Sequence, residues 1–254
     1  MIGASTYALF DKSLGVAIHK LGKFPIDFVE IMNEGYHVLN RYNFRFHLET
    51  LEEYGLKNVL HAPFSDLNIA SLNERIRRAT LEQIFDTIEM AHLMGSMLVV
   101  LHPGHHSPLS FKFPRAYETI HKRSLEEIDK FAEKTGVKVA LENMPKFPTL
   151  DGQTAQRIQE LIDGTNIYVA FDVGHLHTVD GKFVEFVELL RDRIVHVHLH
   201  DNDGKNDSHL ALGEGTVPWS LVFSSIPKDV TLTIEVGSLD NIKRSLEFLK
   251  IYLK

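Results

Sequence analysis

Six short hydrophobic runs in this chain each finish on a side chain that binds metal, and any fold proposed for it has to explain that repetition. They cover 58–61, 97–102, 138–142, 168–172, 194–198 and 230–235, ending on His61, His102, Glu142, Asp172, His198 and Glu235. Each has a strand's length and β-favouring composition, and Gly, Pro or Asn follows soon after. Three further candidates, His175, Asp207 and His209, lie just beyond such runs. Ligands carried on strands so far apart in sequence imply one polynuclear site assembled by the fold. Catalysis is the natural use of such a site.

Strand-like segments recur eight times, at 2–9, 27–33, 58–64, 97–103, 138–144, 167–173, 194–201 and 230–236. Helical patterns lie between them, clearest at 73–94, 115–135, 153–163 and 239–253. In the first of these, Ile76, Ala79, Ile84, Ile88 and Ala91 recur near helical spacing. Ser71 and Asn73 are placed to cap it, and Gly95 and Gly136 are placed to close two helices. Eight alternations in 254 residues predict an α/β fold, a single (β/α)8 barrel spanning 1–254, with its site at the C-terminal mouth. A doubly wound sheet is the alternative, but it gives no reason for ligands to end so many strands.

Side chains in a strand alternate between the two faces. Val99, Leu101, Val139, Leu141, Val169, Phe171, Val195, Val197, Leu199, Leu232 and Ile234 are assigned to the helix layer. The opposite parity then turns His102, Glu142, Asp172, His198 and Glu235 inward together. His196, His198 and His200 share one face of the seventh strand. Of these His198 aligns with the other ligands, while His196 reads as a buried hydrogen-bonded residue and His200 as a rim or supporting group. Glu30 closes the second strand and is placed to hydrogen-bond a ligand. His105, His106 and His177 read as loop histidines near the mouth, and Trp219 as packing.

The chain has no cysteine, so the donors must be imidazole and carboxylate, a set suited to zinc, manganese, iron or cobalt. One to three divalent ions per chain are expected, zinc or manganese first. No leader-like segment or apolar run of about 18 residues is evident, so the expectation is a cytoplasmic protein with no membrane partner. The formal charge of −7 argues against nucleic acid. Three divalent ions in one cleft would cancel all but about one unit of it, so a phosphate-bearing substrate stays open.

These motifs resemble the xylose isomerase-like TIM-barrel superfamily, which includes sugar isomerases, epimerases and endonuclease IV. The matching segments are His61-Ala-Pro, His102-Pro-Gly, Glu142-Asn, Asp172-Val-Gly-His175, His198-Leu-His-Asp, Asp207-Ser-His209, Leu212-Gly-Glu-Gly and Glu235. The resemblance implies that His61 and His102 hold one metal with Glu142, which bridges to a second bound by Asp172, His198 and Glu235. His175, Asp207 and His209 would hold a third. In single-metal epimerases only Glu142, Asp172, His198 and Glu235 are needed.

The sequence departs from the endonuclease IV pattern at its opening, Gly3-Ala-Ser-Thr-Tyr7. It departs again at 61–70, which carries one extra residue, Phe64 for Tyr, and Ser65 where an apolar side chain meets DNA. Neither an apolar wedge nor a basic phosphate track is evident. The favoured reading is a metal-dependent isomerase or epimerase of a sugar or sugar phosphate, with Glu142 and Glu235 passing the proton. The alternative is an endonuclease IV-like zinc phosphodiesterase acting on abasic DNA. The resemblance also allows a homo-oligomer.

Overall fold

The computed structural model describes residues 1–252. Its strands are β1 (Ile2–Ser5), β2 (Phe28–Met32), β3 (Lys57–His61), β4 (Val99–Leu101), β5 (Val139–Glu142), β6 (Tyr168–Asp172), β7 (Ile194–Leu199) and β8 (Thr231–Ile234). All pair in parallel with their sequence neighbours, and β1 closes on β8. The expected single (β/α)8 barrel is present. Each strand is shorter than the strand-like segment read from the sequence, because the chain leaves the sheet within a residue or two of its mouth-facing polar side chain. After Ser5 it turns at once into a 3-10 helix, Thr6–Leu9, whose Tyr7 N–H donates to the Ser5 hydroxyl.

The helices follow the sequence signals closely at their ends. Helix Glu74–Met94 starts on the Asn73 side chain, which accepts from the Arg75 and Ile76 amides, and stops at Gly95 with φ +60°. Helix Pro114–Thr135 stops at Gly136 with φ +72°. This is the left-handed conformation that costs an L side chain most and glycine least. Helix Ala155–Ile162 matches its expected span, while helix Leu239–Leu249 is shorter than 239–253, whose residue 253 lies outside the described residues.

One assignment within helix Glu74–Met94 is corrected. Ile76 and Ala79 face solvent, and Arg77 is the buried residue of that first turn. Its guanidinium is satisfied by Glu74, Glu127 and the Ser124 hydroxyl, which lets a cation occupy a helix–helix interface. Further along, Ile84, Ile88 and Ala91 are buried as expected. Among the described residues no helix is long and apolar enough to cross a membrane.

Strand parity splits the core in two. Val99, Leu101, Val139, Leu141, Val169, Phe171, Val197, Leu199, Leu232 and Ile234 pack with the helices. Phe28, Val59, Leu98, Val100, Ala140 and Ala170 form a separate apolar floor inside the barrel. A β-carbon on Gly3 would meet the Phe28 ring at 2.4 Å, so glycine there makes room for that floor. Val195 is a correction: it packs against the interior cluster. The β6–β7 register shifts between Val169 and Ala170, so two residues of β7 oppose one step of β6 and strict alternation fails there.

Candidate metal centre

Above the apolar floor the interior becomes polar, and the parity that buries Ala140 and Ala170 places Glu142 and Asp172 in the mouth. His61, Glu142, Asp172 and His198 end or nearly end their strands. His102 lies one residue past β4 and Glu235 one past β8. Glu235 is held at the sheet by its N–H, which donates to the Leu199 carbonyl. Asp172 also caps the next helix, Val173–Val179, by accepting the His175 amide at 2.6 Å; that helix turns His175 back over the mouth. Asp207 and His209 arrive on the loop after β7.

The donors form three touching groups whose ligand atoms lie within 4.8 Å of one another in each: His61, His102 and Glu142; Glu142, Asp172, His198 and Glu235; and His175, His200, Asp207 and His209. All nine candidates from the sequence are thus brought together. His200 joins the third group, and Glu30 lies below with His196 and His198.

Outer hydrogen bonds decide how the imidazoles are presented. The Nδ1 atoms of His61, His175 and His209 donate to the carbonyls of Ala62, Asn143 and Glu235, at 2.9, 2.8 and 2.8 Å. Nε2 of His198 donates to Glu30 at 3.0 Å. A carbonyl or carboxylate can only accept, so a neutral ring at each position directs its lone pair into the site. Those inner nitrogens face oxygens. His61 Nε2 is 3.2 Å from Glu142, and the Nε2 atoms of His175 and His209 are each 3.3 Å from Asp207 Oδ2. His198 Nδ1 has Glu235, Glu142 and Asp172 at 2.9, 3.0 and 3.6 Å.

Lone pairs aimed at carboxylates repel unless a cation lies between them. A proton on His198 Nδ1 cannot serve three carboxylates at once. Asp172 Oδ2 is buried without a hydrogen-bond partner. The donor set and this orphaned oxygen fit a divalent metal, and paired outer N–H groups are how metal-binding histidines are held.

Without a metal, the charges settle among themselves. Burial works against the His198 and His175 cations. The surrounding carboxylates reverse this and raise both well above the ordinary range. Burial likewise opposes the His209 cation, yet Asp207 and Glu235 raise it to about 9. Burial would lift Glu142 and Glu235; His198 overcomes it in both, aided by His102 at Glu142, and both are held low. His102 differs, since burial outweighs Glu142 and lowers it.

His200 lies within the third group, yet its bonding is that of a supporting residue. Its Nε2 is 3.0 Å from Asp172 Oδ1, while its buried Nδ1 lacks the outer partner found at His61, His175, His198 and His209. Its ring stacks on His209 at 3.9 Å. His196 is fully buried between Glu30 and Thr231. Of the loop histidines, His106 stacks on Phe111 and Tyr117, and His177 bonds Thr216. Phe64 lies over His102 at 4.5 Å, and the Phe64 and Ser65 amides donate to Glu34, fixing the loop that departs from the endonuclease IV pattern. Buried Trp219 donates to Asp201 at 2.8 Å. Asp201 also accepts the Asn202, Gly213 and Val217 amides and so shapes the loop that carries Asp207 and His209.

A family model described as a xylose isomerase-like TIM barrel matches residues 18–252. The chain belongs to this family. A solved structure titled a D-tagatose 3-epimerase-like protein superposes with a TM-score of 0.94 at 37% identity, covering 99% of this chain and 96% of that one. An uncharacterised protein of Methanocaldococcus jannaschii is 38% identical over 99% of this chain and 89% of its own length. A Staphylococcus carnosus protein named probable endonuclease 4 is 28% identical over 71% of this chain and 68% of its own length. The proteins this chain resembles are thus named for two different chemistries.

Proposed function

We propose that the protein is a divalent-metal-dependent epimerase or isomerase of a small ketose or its phosphate. The observation that carries this reading is the convergence of two carboxylates on one nitrogen: Glu142 from β5 and Glu235 from β8 lie 3.0 and 2.9 Å from His198 Nδ1. Inverting a carbon beside a carbonyl requires removing its proton from one face and returning one to the other. Two carboxylates that reach the mouth from strands three apart around the barrel suit that task. Held by Glu142, Asp172, His198 and Glu235, a divalent cation supplies Lewis-acid stabilisation of negative charge developing on the carbonyl oxygen.

Glu142 takes the carbon-bound proton as the C–H pair moves into the carbonyl, giving an enediolate. Glu235, held ionised while His198 is a cation, takes up a proton from water once His198 is neutral and returns it to the opposite face. Turnover leaves Glu142 protonated and Glu235 ionised, and exchange with water resets both. The 37% identity to the D-tagatose 3-epimerase-like structure supports carbon 3 of a ketohexose as the first position to test.

A second reading, abasic-site phosphodiester cleavage, is favoured by the third group of donors around Asp207 and by the relative named probable endonuclease 4. The loops after the strands weigh against it. Their carboxylates reaching solvent include Asp11, Glu34, Asp66 and Asp203 beside Lys12, Arg41, Lys146 and Lys205, and of these cations Lys12 and Arg41 are paired with Asp11 and Glu89. A duplex needs many phosphate contacts, and among the described residues these loops offer a mixed rim instead of a basic track.

The test is incubation of manganese- or zinc-loaded protein with unphosphorylated and phosphorylated ketohexoses in D2O, read by NMR. A duplex with one abasic site is assayed beside it, with Glu142→Gln as control. Deuterium entering at carbon 3, lost in the control, supports the epimerase. Strand cleavage lost in the control, without sugar exchange, overturns it.

A further inference from the structure

One level below the mouth the barrel buries a carboxylate that proton transfer does not use. Glu30, on β2, has no exposed surface. Its Oε1 accepts from His198 Nε2 at 3.0 Å. Its Oε2 accepts from the Thr233 hydroxyl at 2.7 Å and from His196 Nε2 at 2.9 Å. Thr233, His196 and His198 are themselves wholly buried. Removing an ion from water costs several kcal/mol, roughly, and is tolerated only where hydrogen bonds satisfy it. Three donors on two oxygens do so here.

The direction of these bonds is forced. An ionised carboxylate only accepts, so His198 and His196 must both carry hydrogen on Nε2. For His196 this leaves Nδ1 as the acceptor of the Thr231 hydroxyl, 2.5 Å away. For His198, once neutral as a metal ligand must be, it leaves Nδ1 as a lone pair pointed at Glu142, Glu235 and Asp172.

We infer that Glu30 is a positioning residue: by holding the His198 proton on Nε2, it decides whether Glu142, Asp172, His198 and Glu235 can bind a cation together. This rests on the metal-dependent reading above. Glu30 touches neither substrate nor metal in this scheme and acts only through the imidazole.

Glu30→Gln makes the inference sharp, since it keeps shape and removes the obligation to donate. With the amide oxygen kept for Thr233 and His196, the amide NH2 faces His198 Nε2. His198 must then accept there, and its proton moves to Nδ1, into the metal group. Thr233→Val is the comparison, because it removes a donor to the same carboxylate but leaves the His198 bond intact.

Zinc content and affinity, measured by chelator competition, are to be followed in wild type and both variants. The imidazole nitrogens of zinc-loaded, 15N-histidine-labelled protein report the tautomer. Wild type is expected to show hydrogen on His198 Nε2. Glu30→Gln is expected to weaken zinc at this group by about 10–100-fold with its cooperative melting retained, and Thr233→Val to bind as wild type does. Unchanged zinc affinity in Glu30→Gln, or hydrogen on Nδ1 of His198 in loaded wild type, overturns the inference. Equal losses in the two variants overturn it too, since they would reflect a shared packing defect. If Glu30→Gln does not fold, the wild-type tautomer still decides. A wild type that takes up no zinc ends the metal reading and this inference together, whereas wild-type binding with an unaffected Glu30→Gln ends this inference alone.

Discussion

A β-carbon on Gly174 would lie 2.1 Å from the His200 ring. The glycine is the second residue of helix Val173–Val179, two after Asp172, and His200 fills the space a side chain would take while bonding Asp172 Oδ1 at 3.0 Å. Gly174→Ala is therefore expected to push His200 off Asp172 and to destabilise by about 1–3 kcal/mol, the usual cost of overpacking a tight interior. His200→Ala removes the obstruction, so the double variant should lose less stability than the two single losses added. Urea denaturation of the four proteins measures that coupling. Additive losses would mean that the two residues do not share this space.

Glu142→Gln and Glu235→Gln should each lower epimerisation by about 10²–10⁴-fold, the range for losing an acid or base from a proton transfer. Circular dichroism should show an unchanged fold. Both residues also face His198, so metal content has to be measured beside turnover. Full metal with lost formation of the inverted epimer marks a lost proton carrier; retained epimer formation in either variant rejects the paired scheme.

Much of this site is legible in the sequence because a strand's period of two is unforgiving. Once Val139 and Leu141 are given to the helices, Glu142 has nowhere to point but inward, and the same holds for Asp172 after Phe171. Failures come where that period breaks or where polarity misleads. Val195 is misassigned because the shift in β6–β7 register leaves no mark in composition. Arg77 is buried where Ile76 and Ala79 looked the better core residues, because its partners Glu127 and Ser124 lie on a helix some 50 positions away. Glu30 is visible as a strand-end carboxylate, but its importance depends on meeting His198, Thr233 and His196 across the barrel. Pairings at that separation are written in the fold, not in local pattern.

A second buried network sets the acid response of the fold. Asp151 accepts two bonds from Arg157 at 2.7 Å and one from the Tyr117 hydroxyl at 3.1 Å, with His121 Nδ1 3.3 Å away; Arg157 also pairs with Glu118. Burial would raise the Asp151 carboxyl, but Arg157 and His121 hold it well below its ordinary value. Burial lowers His121, whose Nε2 accepts the Gly104 amide at 3.0 Å and so requires the neutral ring. Both folded values lie below the unfolded ones, so both contributions are present at higher pH and are lost on acidification. The His121 part fades as pH falls below about 6.5 and the Asp151 part below about 3.9. Acidification from neutral pH should lower urea midpoints in those two stages, whereas in metal-free protein rising pH should lower them separately as His175, His198 and His209, held above the ordinary range, lose their protons. His37 and His47, also lowered by burial, add to the first stage. His121→Gln should shrink the first stage and leave the second. A first stage of unchanged size would remove His121 from this account.

Asp207 separates the two chemistries. Its Oδ2 lies 3.3 Å from both His175 Nε2 and His209 Nε2, so Asp207→Asn removes the charge at the centre of the third donor group. Its shortest contacts are with that group, and the pair expected to move the proton, Glu142 and Glu235, meets at His198. Under the epimerase reading, Asp207→Asn should therefore lower the metal content of the third group while sugar exchange at carbon 3 persists within about a factor of ten, or roughly 1.4 kcal/mol of barrier. Under the phosphodiesterase reading the third cation stabilises charge at phosphorus, and the same substitution should abolish strand cleavage. Metal content, sugar exchange and nicking of an abasic duplex, followed on one preparation, distinguish the two. Loss of sugar exchange at full occupancy of the Glu142, Asp172, His198 and Glu235 group would show that the third donor group takes part in the sugar chemistry as well, and that four ligands do not suffice.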